Sequence, residues 1–230
     1  MYRSLIPLSL SLLAAMGCTD AATADDTGVP LDDGPMVSLE LTVGDFLSLE
    51  GIVDLEVCVM RTDNCVLTDG SGLAILTVPA DADVGITIEG GGYTPTLLPY
   101  RTTETDLIVS IYLTPVEIFE LVFDGLGVDP SKSQLTVTLA GGGAGYAATL
   151  DSNDPVHYWT DLGTSIDDSL DATSSSGRFA AVNLTGDMVT IGLEGPGSCT
   201  TLDHYWSAGP NEAVLPLEPG FYSGITLDCP

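Results

Sequence analysis

The sequence predicts an all-β protein of two successive β-sandwiches joined by one short helix, and three observations predict it. Alternation with the two-residue period of half-buried strands appears in Leu39-Leu41-Val43, Leu55-Val57-Val59, Ile75-Thr77 and Val84-Ile86-Ile88, with Gly, Pro and Asp in the gaps. Only one stretch, within residues 115–130, carries helical spacing instead. A Thr/Ser/Gly turn followed by an apolar strand recurs: Thr68, Ser71 and Gly72 align with Thr173, Ser176 and Gly177 at a constant offset of 105.

The chain opens with Met1-Tyr2-Arg3, then an apolar run from Leu5 to Met16, then Gly17 and Cys18. That run is too short for a bilayer core, which takes about 20 residues, so residues 1–17 read as an export signal. The junction Leu13-Ala14-Ala15-Met16-Gly17-Cys18 resembles the lipobox of bacterial lipoproteins. The resemblance implies cleavage before Cys18 and anchoring in the membrane through acyl chains such as palmitate on that cysteine. It places the protein at the cell envelope as an outer-membrane lipoprotein, on the periplasmic or surface face. Ala15 stands where the lipobox usually has Leu, and Ala22-Thr23-Ala24 offers a rival cut that would release a secreted chain from Asp25.

Residues 18–37 are small and acidic, with Asp25-Asp26 and Asp32-Asp33 as charge pairs and few large apolar groups. Such a segment cannot bury enough surface to fold, and as a flexible tether it reaches about 25 Å.

Residues 38–114 form the first sandwich. Gly51, Val57, the turn Thr68-Asp69-Gly70-Ser71-Gly72, the strand to Val78-Pro79, the strand Val84 to Ile88 and Gly92-Tyr93 resemble the carboxypeptidase regulatory-like domain, a transthyretin-like or Ig-like β-sandwich. The resemblance covers about residues 51 to 113 and implies an accessory module without peptidase activity. Leu73-Ala74 replaces the Phe usual after the glycine, and Cys58 with Cys65 is an addition.

Residues 115–130 are the helical connector. Thr114-Pro115-Val116-Glu117 has capping-box spacing with proline at the first helical position; Val116, Phe119, Val122, Phe123 and Leu126 follow at helical intervals, and Gly125, Gly127 and Asp129-Pro130 stop the helix. Residues 131–230 form the second sandwich, where Arg178-Phe179-Ala180-Ala181-Val182 follows Gly177 and Met188-Val189-Thr190-Ile191 follows the next turn.

Apart from Cys18, four cysteines remain. Cys58 and Cys65 flank a turn and suit the staple of a hairpin, while Cys199 and Cys229 would tie down the C-terminus. Four cysteines allow three pairings; an oxidising compartment suits all of them, and no CxxC pair points to zinc.

The chain carries 33 acidic residues against five Lys and Arg, for a net charge of -28, and loss of Arg3 with the signal takes it to -29. Such a field repels nucleic acid and anionic headgroups, so nucleic acid is no partner. Cations, an envelope protein or a glycan are the compatible partners.

Two constellations carry possible chemistry. Both histidines and both tryptophans fall in one repeated tripeptide, His157-Tyr158-Trp159 and His204-Tyr205-Trp206. In a strand His157 and Trp159 share one face, so two copies together could form an aromatic platform for a sugar, or a two-histidine metal site with Asp161 and Asp203; ordinary core and rim packing is the alternative. Asp151, Asp154, Asp161, Asp167, Asp168 and Asp171 precede the second turn. They offer calcium hard oxygens without EF-hand spacing, so no cofactor is required and calcium is the one that would fit. There is no GxSxG, HExxH, P-loop or GxGxxG opening a helix. The expected function is therefore a non-catalytic, membrane-anchored protein presenting β-sandwich modules for a structural or protein-binding role, with glycan or calcium binding as the alternative.

Overall fold

The computed structural model describes residues 34–141, 143–201, 206 and 209–229, and among these it contains fifteen strands and one helix. The proposed signal, Cys18, His204, Tyr205 and Asp203 lie outside the described residues.

The first half comprises β1 (Met36–Asp45), β2 (Glu56–Val59), β3 (Cys65–Leu67), β4 (Leu73–Pro79), β5 (Asp83–Glu89), β6 (Thr96–Arg101) and β7 (Leu107–Leu113). One sheet runs β4-β1-β7, and it faces the strands β3-β2-β5-β6. Alternate residues of β1, Leu39, Leu41 and Val43, are fully buried between the sheets with Leu55, Ile86 and Ile88. Strand β1 begins at Met36, inside the stretch read as tether, because Met36 and Val37 already pair with Pro79 and Val78.

The helix α1 spans Val116–Val122. Pro115 is its N-cap, not its first helical residue, and no side chain caps the helix. The capping box therefore does not form, and the Pro115 carbonyl takes the first helical bonds, from Ile118 and Phe119.

The second half comprises β8 (Ser133–Ala140), β9 (Ala147–Leu150), β10 (Val156–Tyr158), β11 (Arg178–Leu184), β12 (Met188–Glu194), β13 (Thr200–Thr201), β14 (Glu212–Pro216) and β15 (Tyr222–Asp228). Its strands repeat the first half. Strand β8 pairs antiparallel with β11 and parallel with β15, as β1 does with β4 and β7. The facing order β9-β12-β14 matches β2-β5-β6. The offset of 105 carries β4 at 73–79 onto β11 at 178–184, and β5 at 83–89 onto β12 at 188–194.

The repeat extends to individual hydrogen bonds. The Thr68 hydroxyl accepts from Leu55 N–H, and Thr173 accepts from Tyr146 N–H, each at 2.9 Å. The Gly72 carbonyl accepts from Val43 and the Gly177 carbonyl from Leu139, at 2.8 and 2.7 Å. Two strands depart from the repeat: β10, the counterpart of β3, pairs with β11 instead of β9, and β13 has no counterpart in the first half.

Of the three possible pairings, the local one forms. Cys58 and Cys65 stand opposite each other across the β2–β3 hairpin, and Cys199 joins Cys229 at the end of β15.

The halves are not merely strung on the helix. Strand β6 pairs parallel with β15, so β3-β2-β5-β6 continues into β15-β8-β11-β10 as one nine-stranded sheet with β13 at its side. Tyr222 N–H donates to the Pro95 carbonyl at 2.8 Å, and Trp206 Nε1 donates to the Tyr100 carbonyl at 2.8 Å. Arg61, in the first half, reaches Asp187 at 2.9 Å and Glu218 at 3.1 Å in the second. Both pairs are partly solvated, so each contributes about 0 to 1 kcal/mol. Two separate apolar cores, one per sandwich, supply most of the stability.

No helix among the described residues is long and apolar enough to cross a membrane, which says nothing of a β-barrel.

Candidate functional site

In a sandwich the inner faces of the sheets make the core and the outer faces meet water. The outer face of β10-β11-β8-β15 departs from this rule because α1 lies across it. Phe119 on α1 and Phe123, its C-cap residue, sit one turn apart with ring centroids 4.5 Å from each other. Phe119 meets Tyr222 edge-on at 5.3 Å, and Phe123 meets Trp159 edge-on at 6.2 Å. Trp159, Ala180, Val182 and Phe123 form a third apolar cluster there, apart from both sandwich cores.

Two clefts flank the helix and share Phe119, Phe123 and Tyr222. One, of about 460 Å³, is walled by Phe46, Trp159, Thr138, Thr164 and Arg178. The other, of about 420 Å³, lies toward the first half and includes Thr94, Glu120, Lys132 and Gln134.

Two features set the first cleft apart. Trp159 is 5% exposed and its indole N–H has no hydrogen-bond partner among the described residues. An orphaned buried donor costs about 1 to 3 kcal/mol, so a ligand acceptor that reached it would recover that loss. Arg178 forms no salt bridge among the described residues, whereas Arg61 and Arg101 are each held by carboxylates. Burial pushes the Tyr222 phenol up, so it stays a neutral hydroxyl at physiological pH. Aromatic walls, the Arg178 guanidinium and threonine hydroxyls make a cleft suited to a polyhydroxylated or carboxylated small molecule. Nothing in it resembles a nucleophile activated by a base.

The residues singled out in the sequence are dispersed. Tyr158 and Trp159 point to opposite faces of the sheet as strand geometry requires, Tyr158 into the core and Trp159 under α1. The Tyr158 hydroxyl accepts from Ala148 N–H at 2.8 Å. His157 is half-buried, its Nδ1 2.9 Å from Asp168. Trp206 is committed through its indole N–H to Tyr100, on a strand of the first half. Trp159 is buried under the helix, so no open double-tryptophan platform forms with it.

Half of the aspartate run is spent on the protein's own backbone. Asp151 accepts from Thr190 N–H at 3.0 Å, Asp161 from Ser175 N–H at 3.1 Å and Asp167 from Ser169 N–H at 3.0 Å. Among the described residues, the one grouping of three side chains at mutual metal-ligand distance is Glu56 with Cys58 and Cys65, whose sulfurs are already joined to each other.

These bonds have a measurable consequence. Backbone donors from Thr190 and Ser175, and the Ser169 hydroxyl, hold Asp151, Asp161 and Asp167 respectively below the ordinary 3.8. Hydrogen bonds from Ser48 N–H, the Ser71 hydroxyl and the Ser131 hydroxyl do the same for Asp45, Asp69 and Asp129. A carboxyl with a depressed folded pKa contributes stability above its unfolded value, and that stability is lost as pH falls through the folded value. Repulsion among the acidic groups runs the other way, easing as they protonate. The melting temperature is expected to rise from pH 7 to about 4.5 and to fall below about 3.5. A steady decline from pH 7 downward, followed by circular dichroism, would contradict this.

Sequence reasoning missed Arg178 and Tyr222 as site residues. The helical spacing of Phe119 and Phe123 was visible, but its meaning depends on β15 arriving beside β8, some ninety residues later in the chain.

No known protein family matches the sequence, and no curated protein matches it either. The chain is similar in structure to the TIE protein of Bacillus anthracis, at 11% identity and a TM-score of 0.30 over 85% of this chain and 34% of that one. It is similar to a streptococcal ancillary pilin at 8% identity and a TM-score of 0.27, over 86% and 63% of the two chains. A candidate carbohydrate-binding protein of Bacteroides uniformis shows 10% identity and a TM-score of 0.30, over 81% and 100%. This chain thus spans about a third of the first of these proteins and under two thirds of the second. At such scores nothing about ligand or partner transfers.

Proposed function

We propose that this protein is a non-catalytic cell-envelope lipoprotein, held in the outer membrane through Cys18 and presenting its two sandwiches for a structural or protein-binding role. The observation that carries this reading is the joint: a shared sheet, the Arg61 clamp, the Trp206 bond and α1 fasten the two halves into one unit. Two joined sandwiches on an acidic flexible tether are suited to presenting a surface away from a membrane. Two disulfides fit an oxidising envelope. The carboxypeptidase regulatory-like resemblance, an accessory module, points the same way. Intact-mass measurement of the mature N-terminus tests it: a di- or triacylated Cys18 is expected, and a chain starting at Asp25 would overturn the anchored reading.

Glycan binding is the second reading, favoured by the orphaned Trp159 N–H in its aromatic cleft. Sugar rings stack on aromatic faces, and the threonines and Arg178 would address hydroxyl or carboxylate groups. A saturable change in tryptophan fluorescence with one member of a glycan panel, lost in Arg178→Ala, would establish it. Silence across the panel, with no heat on adding calcium in calorimetry, would eliminate ligand binding.

A further inference from the structure

We propose that two copies of this protein pair through β7, edge against edge and antiparallel about Ser110, joining their β4-β1-β7 sheets into one. This deepens the structural reading above by naming the partner as a second copy of the chain.

An edge strand presents unpaired backbone groups, and proteins that stay monomeric blunt such edges with charge, proline, bulges or cover. The other edges are short, carry charge and proline, or are occupied: β3 has only three residues, and β14 runs from Glu212 to Pro216. The Tyr158 hydroxyl occupies Ala148 on β9, Asn64 Nδ2 donates to the Thr77 carbonyl on β4 at 2.7 Å, and Asp167 N–H takes the Tyr158 carbonyl on β10 at 2.8 Å. Strand β15, the counterpart of β7, has its outer edge filled by β6 and β13. Among the described residues nothing pairs with the outer edge of β7.

Its sequence, Leu107-Ile108-Val109-Ser110-Ile111-Tyr112-Leu113, contains no charge, no proline and no glycine. It is also a chemical palindrome about Ser110. Antiparallel pairing centred there sets Ile108 against Tyr112 of the second copy, Val109 against Ile111, and Leu107 against Leu113. The Ile108–Tyr112 pairs are of the β-branched and aromatic kind that stabilises cross-strand contacts. Ile108 is 75% exposed and Tyr112 51%, so both have apolar surface to bury.

The hydrogen-bonding phase agrees. The Leu113 carbonyl turns toward β1, where it accepts from Phe46 N–H at 3.0 Å. Alternation then turns the N–H and C=O of Ile108, Ser110 and Tyr112 outward, which makes Ser110 opposite Ser110 a hydrogen-bonded pair. The acidic residues at the start of the strand, Glu104 and Asp106, fall beyond the far end of the partner's strand and do not face each other. The strong negative charge on each copy, -28 for the full chain, opposes association at long range, so pairing is expected to strengthen with salt. Anchoring in a membrane would raise the local concentration.

Sedimentation equilibrium of the mature, disulfide-intact protein in 0.05 and 1 M NaCl tests the proposal. A monomer–dimer equilibrium is expected, with at least a tenfold tighter constant in 1 M NaCl. Ser110→Pro removes only an outward N–H, so it should keep the native circular dichroism and abolish the dimer; Ile108→Lys should do the same if the proline variant fails to fold. Ser110→Cys should oxidise to a covalent dimer, since Cα atoms of a hydrogen-bonded antiparallel pair lie about 5.5 Å apart, within disulfide range. A monomer at all concentrations and salts overturns the proposal. So does association that survives Ile108→Lys, or open-ended arrays that Ser110→Cys cannot capture as dimers. None of these results touches the mass of the N-terminus, so loss of this inference and loss of the anchored reading are separable.

Discussion

Replacing Gly72 or Gly177 by alanine is expected to destabilise the protein by roughly 2 to 4 kcal/mol, combining a strained backbone with overpacking. The two glycines occupy the same place in the repeat, closing the turn before β4 and before β11. Each has a positive φ, 80° at Gly72 and 63° at Gly177, a region that disfavours any side chain. Each also lies against backbone. A Cβ on Gly72 would stand 2.3 Å from the Val43 carbonyl oxygen, and one on Gly177 2.6 Å from that of Leu139. Those carbonyl-bearing strands are the central β1 and β8, which cannot yield without disturbing a core. Gly70, in the same turn as Gly72, has nothing within 4 Å of its would-be Cβ and no positive φ, so Gly70→Ala is expected to stay within about 0.5 kcal/mol. Urea melts of the three variants decide the matter; equal stabilities would show that the turn glycines carry no such constraint.

Removing the Cys199–Cys229 bridge is expected to cost roughly 3 to 4 kcal/mol, the chain-entropy value for a loop of this size. The bridge spans a separation of 30 residues, and both cysteines are buried in the second core, 1% and 0% exposed. It holds β13 against the end of β15, the strand that carries the joint to the first half. The double variant Cys199→Ala/Cys229→Ala should therefore lower stability and loosen the second sandwich first, visible as early exchange of the β13–β15 amides. Cys58–Cys65 closes a separation of only 7 across an exposed hairpin, and its loss should cost less, about 2 kcal/mol. Equal effects for the two bridges would contradict loop size as the deciding factor.

These two sites also show how far the sequence could be read. The turn around Thr68 and Gly72 and its echo at Thr173 and Gly177 were visible as residues at a fixed offset, because a tight turn needs glycine and a hydroxyl at defined positions. The structure places both copies in the same hydrogen bonds. Cys58 with Cys65 was legible because a hairpin brings near neighbours in sequence together. The capping box at Thr114 failed because Pro115, once followed by a seven-residue helix, takes the cap position itself. Of the aromatic tripeptides, Tyr158 and Trp159 took the packing alternative, because their rings fill two apolar clusters on opposite faces of one sheet, a placement their composition does not record.

By itself, then, the sequence determined the all-β class, the internal repeat, the connecting helix and the acidic field, all of which follow from alternation, spacing and charge counted along the chain; which cysteines pair was settled by the fold. Tertiary structure alone decided the shared sheet between β6 and β15, the cleft where α1 lays Phe119 and Phe123 over Trp159 and Tyr222, and which edges are covered. Local periodicity sets whether a strand forms and which face is apolar. Which edge it shares, and with whom, is decided by contacts between residues far apart in the chain, and these leave no period to read.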